Sequence, residues 1–184
     1  LGSLTSTSLP ALRAYLEGKV AFRSGQYELA IDHFERALED DPDFVLAALG
    51  LADAAEFSPT TGSGAVLRRA WENRDRLSRR DSIFLTAFLG RDYPAARSTR
   101  QRLDDWPQAA EALPDRAAVW YHVGDVYLHV GRLLDYDDPL DRAAEAFERA
   151  LSLDPTFGPA LSHLITIAEF DRDTTAIRRW APRL

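Results

Sequence analysis

The sequence predicts an all-α fold of about four and a half antiparallel helix hairpins, and three observations predict it. First, "GKVAFRSGQYELAIDHFERALEDDP" and "WYHVGDVYLHVG" followed by "AAEAFERALSLDP" share small and aromatic residues in one order, so they are copies of one unit. Second, each copy is punctuated alike: Gly25 and Gly131 close a first helix where a left-handed residue is cheapest, and Pro42 and Pro155 block continuation of a second. Third, "FERAL" in both copies sets Phe34 with Leu38, and Phe147 with Leu151, four apart on one apolar stripe.

The elements follow in order, with repeats expected at about 10–43, 44–78, 79–114, 115–156 and a partial 157–184, all within one solenoid spanning 1–184. The first hairpin carries Gly18, Gly25, Tyr27, Ala30, Phe34, Ala37 and Pro42. In the second, "DFVLAALGLADAAEF" is an apolar first helix with Leu46, Leu49 and Gly50 at the expected spacing. "SPTTGSG" is a long loop with Ser63 as a cap, and "AVLRRAWENRDRLSR" is the second helix. The third is placed by Pro114, which stands to Trp106 and Ala109 as Pro42 stands to Phe34 and Ala37, although Pro107 threatens to split its second helix. The fourth carries Trp120, Val123, Gly124, Tyr127, Gly131, Ala143, Phe147, Ala150 and Pro155, with "LLDYDDPLDR" inserted before its second helix. "FGPALSHLITIAEF" opens a fifth, and "TTAIRRWAPRL" is at most its shortened partner.

Composition removes whole classes of function. With 184 residues and 46% hydrophobic content the chain can bury a core. It has no cysteine, which excludes disulfides, thiolate ligands and thiol catalysis. A net charge of −7 argues against a general nucleic-acid binder, which needs Lys and Arg to displace counterions. No apolar run approaches the roughly 20 residues that cross a bilayer, so no membrane insertion is expected and the piece reads as soluble. With no methionine and the opening "LGSLTSTSLP", it is expected to be a piece of a longer reading frame. The compartment stays open.

The residues of the fourth unit, Trp120, Val123-Gly124, Tyr127, Ala143, Phe147 and Pro155, resemble the tetratricopeptide repeat family, with Val123 where the pattern has Leu. The resemblance implies a right-handed superhelix whose concave groove binds a protein or peptide ligand. In that family the first helix of each hairpin lines the groove. Carried over by spacing, this points to Tyr15, Lys19, Phe22 and Arg23 in the first unit, and to Ala47, Leu51 and Ala54 in the second. The fourth supplies Tyr121, Asp125, Leu128 and His129, and the fifth Ser162, Thr166 and Glu169. The paired Lys and Asn with which chaperone-binding members clamp a carboxylate are missing, so no chaperone-tail ligand is expected.

"TSTSLPALRAYLEG" and "WYHVGDVYLHVG" are also similar to repeat regions that follow bacterial serine/threonine kinase domains. Similar arrays follow bacterial cyclase domains and winged-helix regulators. This implies a scaffolding or sensory role in a larger bacterial signalling protein, outside the cytoplasm if a membrane span precedes it. The kinase phosphate loop, His-Arg-Asp and Asp-Phe-Gly are absent, so the piece is not expected to be an enzyme, and no cofactor is implied.

Other groupings carry alternatives. His122, Asp125 and His129 lie within about 60° on a helical wheel, which opens a metal-dependent or hydrolytic reading. A metal site usually needs a third or fourth ligand, and two His four residues apart with a Glu between them are absent, so the preferred reading is an ordinary Asp125–His129 pair on the groove wall with His122 at a hairpin contact. His33 and His163 are read as structural. Asp135, Asp137, Asp138 and Asp141 raise calcium, but the loop lacks the Gly and Glu of an EF-hand, and Asp138 before Pro139 reads as a helix cap. Arginines crowd the stretch from Arg68 to Arg102, after an acidic stretch from Glu28 to Glu56; salt bridges between neighbouring helices are preferred over an acidic partner. Self-association through the truncated fifth unit, giving a homo-oligomer, is a further possibility.

Overall fold

The computed structural model describes residues 6–58, 64–134 and 136–184, and among them there are helices and turns but no strand. Ser63 and Asp135 lie outside the described residues. Among the described residues ten α-helices follow one another: α1 Leu9–Arg23, α2 Tyr27–Asp40, α3 Val45–Ala55, α4 Gly64–Glu72, α5 Arg79–Leu89, α6 Thr99–Ala112, α7 Ala117–His129, α8 Pro139–Leu153, α9 Gly158–Phe170 and α10 Thr174–Trp180. The all-α hairpin fold is what the structure has. No helix among the described residues is long and apolar enough to cross a membrane. The chain divides into two compact units, one ending at Leu89 and one beginning at Gly90, so the division falls between α5 and α6.

In the first unit α1 and α2 form a hairpin, α3 packs on both, and α4 packs on α3. Ser8 starts α1 by accepting a hydrogen bond from the Ala11 N–H at 3.3 Å. Gly25, at φ 71°, ends it in the left-handed region. Phe34 of α2 is fully buried. A Cβ on Gly18 of α1 would lie 2.7 Å from its ring, and one on Gly50 of α3 would lie 2.6 Å away. Two glycines from neighbouring hairpins thus form the slot for one aromatic ring, which is why small residues recur at these places.

The second unit repeats the device. Phe147 of α8 is fully buried, and a Cβ on Gly124 of α7 would lie 2.6 Å from its ring. α6 packs on α7, α7 on α8, α8 on α9, and α9 on α10.

Some sequence expectations are corrected. Gly131 is not among the residues of positive φ; a Cβ there would meet the Pro139 Cβ at 2.8 Å, so it is required for close approach rather than for backbone conformation. α6 runs unbroken across Pro107, started by a capping box in which Ser98 and Gln101 exchange hydrogen bonds. The second helix of the second hairpin is shorter than its sequence suggests, since α4 ends at Glu72 and a 3-10 turn over Arg74–Arg76 follows. Asp138 stands at the cap position of α8, but its side chain makes no capping hydrogen bond there, its backbone being left-handed at φ 48°.

Candidate functional site

The repeat register equates α1 with α7. Tyr15 and Tyr121 occupy one place: Tyr15 meets Phe34 and Phe44 at 6.0 and 5.0 Å between ring centres, and Tyr121 meets Phe147 and Phe157 at 6.0 and 5.7 Å. Lys19 then corresponds to Asp125 and Arg23 to His129. The same scaffold therefore presents two cationic groups in the first unit and an acid with an imidazole in the second.

The structure sorts the residues expected to line a groove. Phe22, Ala47, Leu51, Ala54 and Tyr121 are buried. They serve the core instead of offering side chains to a ligand. Phe22 packs edge-on against Tyr27 and Phe57. Ala47, Leu51 and Ala54 sit on α3, which is buried from Val45 through Ala54, Asp53 included, because it is otherwise apolar and packs on α1, α2 and α4. Tyr121 fills the space between Phe147 and Phe157. The accessible set is narrower: Tyr15, Lys19 and Arg23 on α1; Asp125, Leu128 and His129 on α7; Ser162, Thr166 and Glu169 on α9.

His122 does not join Asp125 and His129. It is 3% exposed and its ring stacks on Trp106 of α6 at 4.1 Å and 10°. The third group is His163 of α9. Its Nε2 lies 3.7 Å from Asp125 Oδ1, while His129 Nε2 lies 3.3 Å from the same oxygen. Among the described residues, the donor atoms of Asp125, His129 and His163 all lie within 4.8 Å of one another. The His163 ring is held by Phe147 at 5.0 Å and 27°, and by Tyr121 at 5.7 Å and 14°. Burial pushes the His163 imidazole below its ordinary value of 6.5; Asp125 pulls it up, and His129 adds to the fall.

The sequence reading gave His163 a structural role only, yet the register holds a signal. His163 has the place in α9 that His122 has in α7 and Gly50 has in α3. In each case the residue packs on the aromatic of the preceding second helix: Phe34 for Gly50, Trp106 for His122, Phe147 for His163.

Arginines of the arginine-rich stretch have acidic partners within the first unit and, separately, within the second. Arg69 and Arg76 approach Asp43 at 2.9 and 4.0 Å, and Arg91 and Arg97 approach Asp105 at 3.6 and 3.5 Å.

A family model described as tetratricopeptide repeat matches residues 15–56, and a second of the same description matches residues 117–157. No curated protein matches the chain in sequence. Among solved structures, a crystal structure of MamA is similar over 90% of this chain and 91% of its own, at 18% identity and a TM-score of 0.46. The crystal structure of YrrB, described as a TPR protein with an unusual peptide-binding site, is similar over 94% of this chain and 84% of its own, at 13% identity and a TM-score of 0.43. A MamA fragment from Desulfovibrio magneticus RS-1 is similar over 97% of this chain and 95% of its own, at 17% identity and a TM-score of 0.42.

Proposed function

The chain belongs to the tetratricopeptide repeat family, and from that premise we propose that it is a non-catalytic module that captures a protein or peptide partner on the accessible faces of its first helices. The observation that carries the reading is the sorting of side chains along those helices. On α1, Tyr15, Lys19 and Arg23 are one turn apart and reach solvent, while Gly18, Ala21 and Phe22 between them are buried. An aromatic edge followed by two cations suits an extended peptide with acidic side chains. On α7 and α9 the accessible groups are of the other sign or neutral, with Asp125 and Glu169 beside Leu128, Ser162 and Thr166.

The test is a peptide-display selection against the full chain, with the selected peptide then measured on two double variants. Lys19→Glu with Arg23→Glu addresses α1, and Thr166→Lys with Glu169→Lys addresses α9. At least one pair is expected to weaken binding about tenfold, equivalent to about 1.4 kcal/mol, with helicity unchanged. Binding by both variants as tight as that of the unaltered chain, or no selected peptide binding more tightly than about 1 mM, removes the reading.

We infer for the module a setting in a larger bacterial signalling protein such as a serine/threonine kinase. The support is the likeness of its opening and fourth-repeat phrases to arrays beside kinase domains, and the adjoining coding sequence checks it. Self-association through the final helix pair is a separate proposal, tested by light scattering over a concentration series.

A further inference from the structure

Asp125, His129 and His163 do more than ordinary ion pairing requires, because two imidazole nitrogens from different helices converge on one carboxylate oxygen. We propose that these three side chains bind a divalent transition ion of the zinc class, joining α7 to α9 in the second unit.

The donor set selects the ion. Two imidazoles and a carboxylate suit zinc and its first-row neighbours, whereas magnesium and calcium take oxygen ligands. Spacing agrees with the chemistry. Bonds of about 2.0–2.1 Å around a tetrahedral ion set neighbouring donors about 3.3–3.4 Å apart. Asp125 Oδ1 stands 3.3 Å from His129 Nε2 and 3.7 Å from His163 Nε2, and no pair of donors is separated by more than 4.8 Å.

Rigidity is distributed as a binding site needs it. The Asp125 and His163 side chains are only 19% and 16% exposed, and the His163 ring is clasped by Phe147 and Tyr121. Two donors are therefore set in advance. His129, at 59% exposure, is free to swing its ring the remaining distance. Three protein donors leave a coordination position, the arrangement of an exchangeable site rather than a closed structural one. The inference holds whether or not the helix faces take a peptide.

The experiment uses the full chain stripped by a chelator and titrated with Zn²⁺ alone against a chromogenic competitor, with Co²⁺ as a spectroscopic probe of geometry. One Zn²⁺ per chain is expected, with a Kd of about 10 μM or tighter, visible Co²⁺ bands of a low-coordinate ion, and a higher melting temperature in the presence of Zn²⁺. Asp125→Asn and His129→Ala are each expected to weaken Zn²⁺ binding at least about tenfold. His33→Ala, in the first unit, leaves it unchanged. His129 is exposed, so its loss does not threaten the fold; His163→Gln is added with circular dichroism as its check. Less than about 0.1 Zn²⁺ per chain at 100 μM free ion, or an unchanged affinity in His129→Ala, overturns the proposal.

Discussion

At the scale of single residues, the ring of Phe147 and the missing side chain of Gly124 are one feature. A methyl at Gly124 would sit 2.6 Å from that ring, which is fully buried and has no room to retreat. Gly124→Ala, and Gly18→Ala against Phe34, are each expected to cost about 1–3 kcal/mol in urea unfolding. Gly64→Ala, where nothing lies within 4 Å, is expected to stay within about 0.5 kcal/mol. His163 makes a different prediction. Because burial lowers its affinity for a proton in the folded state, the unfolded chain binds more protons just below pH 6.5. Stability therefore rises with pH through that window and is lost on acidification below it. Urea midpoints of chelator-treated protein are expected to fall between pH 7.5 and pH 5.5, and the fall is expected to be smaller in His163→Gln. The Asp125–His129 pair was legible in the sequence because it follows from helical spacing alone. The nearness of His163 was not, because it depends on how α9 is set against α7 across α8.

At the scale of elements, Arg69, Arg76, Arg91 and Arg97 of the arginine-rich stretch have ion-pair partners within the chain. Asp105, 9% exposed, meets Arg97 and Arg91, while Asp43, 45% exposed, meets Arg69 and Arg76. Asp105→Ala is expected to cost about 1–2 kcal/mol in urea unfolding because it strips a half-buried arginine of its charge partner, and Asp43→Ala less than about 1 kcal/mol because solvent screens its pairs. Helix starts and stops were largely readable. Gly25, Pro42 and Pro155 punctuate where their backbone chemistry requires. The exceptions have physical reasons. Pro107 sits inside α6 without ending it, since one lost backbone hydrogen bond is outweighed when Leu103, Trp106, Ala109 and Ala110 of that helix are all buried. Gly131 is held by contact with Pro139, a neighbour supplied by the inserted loop and not by the repeat pattern.

At the scale of the whole molecule, the sequence by itself determined the all-α class, the hairpin unit and the pairing of small residues with aromatics. These rest on helical periodicity, on the backbone preferences of glycine and proline, and on residues a few turns apart, all of which act over short stretches of chain. Only the tertiary structure decided which first-helix residues remain accessible. In the register that sets Gly50 with His122, Ala47, Leu51 and Ala54 of α3 fall at the places of the buried Val119, Val123 and Val126, while α1 leaves Lys19 and Arg23 near solvent. It alone also put His122 on Trp106 and brought His163 to Asp125. Burial and convergence of this kind belong to several helices at once, so no spacing within one helix encodes them.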